Sequence, residues 1–416
     1  MTQPSDPRAG SADFDVLVVG GGMVGAGLAA AVAGSGLRIG VAEAHPFGSR
    51  AQPSYDDRAI ALAQGSRGIL EAMGVWEALA PEAEPILRIH VSDRGHFGFA
   101  RLDHRAEGVD ALGYVTTGRS LGRAILPAVE AASDCRMLCP ARVEGLRVEA
   151  DAVRVTLLRE GERSEMSARL LVAADGGQSR VREQLGIGVR EWTYGHHAVI
   201  ANLTAQADHR GTAYERFTDT GPLAMLPLTQ GRCALVWTVR DEEVEEIMGL
   251  EDSRFLQRLQ ARFGYRLGRL ERVGRRSAYP LRLIEAREHV RPRVALLGNA
   301  AHTVHPVAGQ GLNLSIRDVA VLADLLAEAA SHGGDPGSAD LLQRYAAWRR
   351  ADQRTVLMAT DLLVRLFANP LPPLRLLRNL GMLGVDLAPG VKHLLARQAM
   401  GLRGRMPRLS RGLRLG

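Results

Sequence analysis

Short apolar runs that close on glycine alternate with longer stretches of helical period along most of the chain. Phe14 to Val19 is apolar except at Asp15, carries β-branched residues and is bounded by glycines, so it predicts a buried parallel strand. Met23 to Gly34, rich in Ala and Leu, predicts the helix that follows, and Arg38 to Ala42 a second strand. A helix is expected over Ser66–Met73, sheet from 85 to 115 where apolar and polar residues alternate, and a returning helix over Arg119–Ala132. Val143 to Leu158 and Glu165 to Ala174 read as strands, the last leading directly into Asp175-Gly176.

The texture changes between 190 and 284. Short strands (Ala198–Leu203, Leu223–Pro227 and Cys233–Val239) alternate with turns around one helix, Ser253–Phe263. Val294 to Leu297 is again a buried strand. After Gly311, residues Leu312, Ile316, Val319, Ala320, Ala323 and Leu326 share one helical face. From about Ala339 the chain is helical and Arg-rich, broken at Asn369-Pro370 and Pro372-Pro373. The pattern predicts an α/β fold: a Rossmann-like nucleotide domain, an inserted mixed β-sheet domain and a helical C-terminal region. Residues 13–84, 113–189 and 285–345 are expected to form the first, 85–112 and 190–284 the second, and 346–416 the third.

The first glycine turn gives the nucleotide domain its chemistry. In Gly20-Gly21-Gly22-Met23-Val24-Gly25, Gly20 permits a tight turn, Gly22 lets a phosphate approach the backbone, and Gly25 lets the helix pack close to the strand. The helix N-terminus points its free N–H groups and positive dipole end at that phosphate. Glu43 stands eighteen residues beyond Gly25, at the end of the second strand. A carboxylate there accepts from ribose hydroxyls and repels a 2′-phosphate.

Composition narrows the class. At 416 residues, 46% hydrophobic and 24% charged, the chain suits one large or two moderate globular domains. No apolar run reaches the length of a membrane span. Met1 to Ala12 is polar and does not resemble a signal peptide, which predicts a cytoplasmic location. Cys135, Cys139 and Cys233 form neither a disulfide framework nor a zinc pattern, and no metal site is expected. Residues 360–416 carry nine arginines and Lys392, the only lysine, against Asp361 and Asp386, a surplus of eight charges in a chain of net +6. No aromatic platform accompanies them, so nucleic acid is not expected as a partner. Leu362, Leu363, Leu366, Leu374, Leu376 and Leu377 lie among those arginines. They read either as an ordinary helical face or as a contact with an anionic membrane surface, here the inner membrane face.

Two further segments complete the pattern: Asp175-Gly176-Gly177-Gln178-Ser179-Arg180-Val181-Arg182, and Gly298-Asn299-Ala300-Ala301-His302 with Pro306. With all three in this order the chain resembles the class A flavoprotein monooxygenases, the para-hydroxybenzoate hydroxylase group, over nearly its whole length. Asp57 to Leu62, Ala111-Leu112-Gly113-Tyr114-Val115 and His305-Pro306-Val307-Ala308-Gly309-Gln310-Gly311-Leu312-Asn313 resemble the ubiquinone-biosynthesis hydroxylases. His90-Val91-Ser92-Asp93-Arg94-Gly95-His96 looks most like the 2-polyprenyl-6-methoxyphenol hydroxylase branch. Asn299 departs from the Asp usual in the wider family; its amide oxygen still accepts a hydrogen bond from a ribityl hydroxyl.

The resemblance implies one bound FAD, with NAD(P)H or another donor as reductant and dioxygen as co-substrate. It implies ring hydroxylation of a polyprenylated phenol, through a flavin hydroperoxide, in ubiquinone biosynthesis. Other proteins of that route are expected partners. Glu43 should bind the adenosine ribose, Arg58 lie near the adenine or pyrophosphate, and Arg119 near the ribityl side. Asp175 and Gly176 should line the pyrophosphate, with the dinucleotide donor as a further contact, and Gly298 and Asn299 hold the ribityl chain. Arg182 is expected either to act directly or to fix the Asp175 loop by a salt bridge. Gly309, Gln310, Gly311, Leu312 and Asn313 open a helix whose N–H groups face the ring where negative charge develops. His305 and Pro306 belong to the same loop. His302 and His305 are the nearest candidates for a base by chain position, with a packing role as the alternative. Another class A hydroxylase of a soluble aromatic and a flavin-dependent prenyl-lipid reductase are the rival functions. A flavin halogenase, lacking its lysine and Trp motif, and a catalytically idle FAD-binding subunit fit less well.

Overall fold

The computed structural model describes residues 12–47, 49, 54, 56–304, 309–368 and 371–415. The Phe14–Val19 strand is buried at every position, as its apolar run predicts. It forms the middle of an eight-stranded sheet, flanked in parallel by Ile39–Ala42 on one side and Glu162–Ala173 on the other. Val294–Leu296 joins beyond Glu162–Ala173, and Cys135–Leu138 beyond Ile39–Ala42, both parallel. The antiparallel strands Arg142–Val148 and Val153–Arg159 extend Glu162–Ala173 outward.

The helices Met23–Val32, Gly118–Glu130 and Gln310–Ser331 bury their apolar faces together over one side of this sheet. Leu28, Val32, Leu121, Ile125, Leu322 and Leu326 meet there with almost no exposure. Burial of such side chains is worth about 1.5–3 kcal/mol each before the entropy of ordering is subtracted.

A nine-stranded mixed sheet gathers segments far apart in sequence. Val189–Ala205, expected only over Ala198–Leu203, is a single strand of 17 residues, pairing with Arg232–Arg240 and Ser277–Ala286. Thr212–Thr218 pairs in parallel with Arg88–Asp93, bringing that hairpin to the edge of the sheet. The short strand His302–Thr303 pairs with Ser277–Ala286, so the two large sheets are joined just after the third glycine segment. Glu84–Ile86 belongs to a separate three-stranded sheet with Ala59–Ala63 and Gly113–Thr117.

Alternation divides the apolar Leu223-to-Leu228 stretch between two cores. Leu223 and Met225 pack with Trp237 and Phe255 beneath the Asp252–Phe263 helix. Leu226 and Leu228 turn to the opposite face, with Leu112, Val115 and Met400. Behind them runs the long helix Ala339–Ala368, followed by Pro372–Leu387 and Pro389–Ala399. Leu363 and Leu366 pack inward beside Phe217, whereas Leu362, Leu376 and Leu377 stand outward at 55–63% exposure. No helix among the described residues is long and apolar enough to cross a membrane.

Candidate functional site

Register brings the three glycine segments together. Val19 is level with Ala173, and Ala173 with Leu296, on adjacent parallel strands. The turns after them, at Gly20, Asp175 and Gly298, therefore leave the same end of the sheet side by side. In open α/β sheets, ligands bind outside this carboxyl end.

The turns touch through positions where a side chain does not fit. Gly20 has φ +101°, and a Cβ there would lie 2.5 Å from the carbonyl oxygen of Ala174. A Cβ at Gly25 would overlap the Gly20 carbonyl, as expected for close packing of helix on turn. At Gly298, with φ +59°, it would press on Val24 of the first helix at 3.0 Å. Gly22 begins that helix; its missing Cβ leaves room for Ser54 Oγ, which would be 2.7 Å away. Ser54 was not legible as a site residue, because nothing in its local sequence marks it.

Glu43 is 5% exposed at the end of its strand. Its Oε2 accepts the Gly21 N–H at 2.7 Å and its Oε1 the His45 N–H at 2.7 Å. The carboxylate thus clamps the glycine turn, with lone pairs left for further donors. Gly21 allows this approach, since a Cβ would lie 3.0 Å from that of Glu43.

In the second segment, Asp175 Oδ2 accepts the Val181 N–H at 3.2 Å, while Oδ1 is buried without a partner among the described residues. Thr303 Oγ1 is likewise buried and unpartnered, and lies 3.5 Å from where a Gly177 Cβ would stand. Buried polar atoms in a native site are hydrogen-bonded, so these two fit a polar ligand against the turns. Gly176 needs its φ of +86° rather than space. Arg182 corrects one expectation: it makes no ion pair with Asp175. Its guanidinium donates to the carbonyls of Gly177 at 2.8 Å and Ala300 at 2.9 Å, so it binds the second segment to the third. Asn299 is exposed on its 3-10 turn.

Arg58 and Arg119 both attach to the acidic segment before the Ala59–Ala63 strand. Arg58 Nε lies 2.6 Å from Asp56, with its guanidinium over the Tyr279 ring. Arg119 Nε lies 2.8 Å from Asp57, in a pair more than half exposed on average. The hydrogen bond from Arg119 holds the Asp57 carboxyl below its ordinary range, and screening at the surface keeps the stabilisation small.

The helix Gln310–Ser331 starts at Gly309, which has φ +60° and presses on Ala61, where a Cβ would meet the Ala61 methyl at 2.9 Å. Asn313 is 2% exposed and fully engaged with backbone. Its Nδ2 donates to Ala61 O at 2.8 Å and Gly309 O at 2.7 Å, and its Oδ1 accepts from Ala63 N at 2.8 Å. The side chain therefore positions the first helical turn against the Ala59–Ala63 strand. Leu312 packs beside Met23 and Leu121 in the core. Gln310 donates to Ala399 O at 3.3 Å. Gly311 faces Val304, 3.4 Å from its would-be Cβ. His305 and Pro306 lie outside the described residues.

His302, weighed at the sequence level as a base or a packing group, is buried. Its Nε2 lies 2.6 Å from Asp318, which also holds Arg349 at 2.5 Å and Gln353 at 3.1 Å. Burial alone would raise the Asp318 carboxyl; Arg349 and His302 outweigh it and hold the group well below its ordinary value. Asp318 was invisible in the sequence because it interrupts an apolar helical face.

The comparisons with known proteins bear on this geometry. Residues 13–360 match the FAD binding domain family. Ubiquinone hydroxylase UbiL of Rhodospirillum rubrum is 42% identical over 98% of this chain and 96% of its own. The chain belongs to the FAD-dependent hydroxylases of ubiquinone biosynthesis. A second member, 3-demethoxyubiquinol 3-hydroxylase of Escherichia coli, is 33% identical over 93% of this chain and 98% of its own. p-Nitrophenol 4-monooxygenase PnpA from Pseudomonas putida shares the fold at a TM-score of 0.78 and 21% identity, covering 94% of this chain and 98% of its own. This hydroxylase is thus an FAD-dependent monooxygenase with a Rossmann-like FAD-binding fold.

Proposed function

We propose that this chain hydroxylates the aromatic ring of a polyprenylated phenol on the route to ubiquinone, with the three glycine turns as its FAD cradle. The observation that carries the assignment of the cradle is the side-by-side exit of Gly20, Asp175 and Gly298 from adjacent parallel strands. The buried Asp175 Oδ1 and Thr303 Oγ1, without partners among the described residues, fit a polar cofactor lying across the strand ends. Residues 13–84, 113–189 and 285–345 then act as the FAD domain, 85–112 and 190–284 as the substrate domain, and 346–416 as a basic helical region.

In this reading Glu43 receives the adenosine ribose, and the first turn, with Asp175 and Gly176, receives the pyrophosphate. Gly298 and Asn299 hold the ribityl chain, with Arg58 and Arg119 at the rim. FAD, reduced by NAD(P)H or another donor, supplies the redox and dioxygen chemistry. The protein orients the ring and excludes water. The N–H groups of the turn Gly309 to Asn313 stabilise negative charge there, and Asn313 fixes their position. Leu226, Leu228 and Ala234 of the larger sheet, with Met400, give an apolar wall suited to a phenol with an isoprenoid tail. A peripheral contact with the inner membrane face, through Leu376, Leu377, Leu380 and Leu387 at 51–72% exposure, would deliver such a lipid.

The test is quinone-lipid profiling of a deletion strain. Loss of ubiquinone with accumulation of a polyprenyl phenol, rescued by wild type but not by Gly22→Val, identifies the step. Normal ubiquinone in a strain with no second ring hydroxylase of this family would refute the assignment.

A further inference from the structure

The His90-to-His96 stretch takes no part in the site above. It ends the Arg88–Asp93 strand and turns into Phe99–Asp103 at the edge of the larger sheet. Alternation sends its side chains to opposite faces. Asp93, 5% exposed, goes to one side and is bound by Arg378 Nη2 at 2.7 Å and Asn379 Nδ2 at 3.0 Å. His90 goes to the other, beside Tyr214, whose ring meets Phe263. This is the face covered by the Asp252–Phe263 helix, opposite Leu226 and Leu228.

An open cavity of about 500 Å³ lies here, lined chiefly by His90, Phe97, Phe99, Arg101, Arg216 and Arg266. Nearby Arg94 and Arg262 share Asp219. Arg101, Arg216 and Arg266 have no carboxylate partner of their own among the described residues. Arg216 donates to Phe263 O at 2.5 Å, Arg266 to Ser92 Oγ at 3.3 Å, and the Arg101 guanidinium sits over Phe99. Asp93 also borders the cavity, but its charge is met by the buried Arg378, and nearby Asp386, which accepts the Arg101 N–H at 2.9 Å, is paired with Lys392 at 2.8 Å. Arg216 Nε and His90 Nε2 are buried without partners among the described residues. Three guanidinium groups without a carboxylate partner repel one another around one concavity, and their planar forks match phosphate oxygens. Phe99 and His90, near-parallel with ring centres 6.4 Å apart, add a flat aromatic wall.

We propose that this cavity is a second ligand site, binding a phosphate monoester attached to a flat or apolar body. A dianion matches the surplus charge better than a single carboxylate, and the volume exceeds that of a bare ion. The site is separate from the flavin turns and does not rest on the hydroxylase reading. His90 provides a reporter: burial first, then Arg266, Arg101 and Arg216, push its imidazole down to about 4 against the opposing charge of Asp386, so a bound anion should move its titration upward.

The experiment uses FAD-loaded enzyme. Phenyl phosphate is titrated calorimetrically, and co-sedimentation is measured with phosphatidylcholine vesicles with and without phosphatidic acid. Arg266→Gln and Arg101→Gln, both at exposed positions, should each weaken binding about tenfold or more. Arg216→Gln should do the same if its lost contact to Phe263 is tolerated. Saturable phenyl phosphate binding lost in the variants marks a soluble phosphomonoester site. Binding only to phosphatidic acid vesicles, again lost in the variants, marks a lipid headgroup site. Absence of saturable binding to either probe, or binding unchanged in Arg266→Gln and Arg101→Gln, overturns the proposal.

Discussion

Asn313 makes the sharpest test of how the turn proposed to face the flavin ring is built. Its amide donates twice and accepts once, all to backbone, at 2.7–2.8 Å in a site 2% exposed. Asn313→Ala removes all three bonds. A buried backbone group left without a partner costs about 1–3 kcal/mol, so the loss should come to about 3 kcal/mol after partial relaxation. If the turn must be in place to bind FAD, affinity falls by about 100-fold. Asn313→Asp separates hydrogen bonding from size. The new carboxylate can still accept from Ala63, yet it faces the carbonyl oxygens of Ala61 and Gly309 where donors stood. Burial against two carbonyls raises its pKa, and the protonated form regains one donor. FAD affinity of this variant should therefore recover as pH falls from 8 to about 6, relative to wild type at each pH. The assay is fluorescence titration of apoprotein with FAD. Wild-type affinity in Asn313→Asp, independent of pH, would refute the assigned role.

Gly25→Ala forces a methyl into the Gly20 carbonyl and should yield colourless protein on purification; full flavin absorbance would contradict the packing. Arg182→Met frees the Gly177 and Ala300 carbonyls, and should cost about 2 kcal/mol in denaturant unfolding while speeding FAD release. Asp318→Asn leaves the 4%-exposed Arg349 short of one partner and should destabilise by about 3 kcal/mol. Because the folded Asp318 carboxyl is held down, its stabilisation is complete above its ordinary range near pH 4 and is lost as pH falls towards the folded value. Stability between pH 6 and pH 3 should consequently fall less steeply in Asp318→Asn than in wild type; equal slopes would exclude this linkage. Leu376→Glu with Leu380→Glu should weaken vesicle binding several-fold while leaving turnover of a short-tailed soluble phenol unchanged, and undiminished vesicle binding would remove that face from membrane contact.

What the sequence determined by itself was everything encoded over a few neighbouring residues. Phe14–Val19 and the glycines after it announce strand, turn and helix because backbone freedom and burial are local demands. Glu43 is legible for the same reason, since it ends the next strand. The three signatures and their order were enough to name the family. Partners were not legible, because hydrogen bonding and packing choose across hundreds of residues. Arg182 was read either as acting directly or as pairing with Asp175, and its guanidinium instead joins two carbonyls. Asn313 was read as facing the cofactor, and its side chain holds a strand 250 residues away in sequence. His302 took its meaning only from Asp318 and Arg349, on two later helices. The 17-residue length of Val189–Ala205 came from pairing on both sides, which no window of sequence contains. The unpaired arginines around His90 emerged only when three strands and a loop were folded together, because charge becomes informative once its neighbours in space are known.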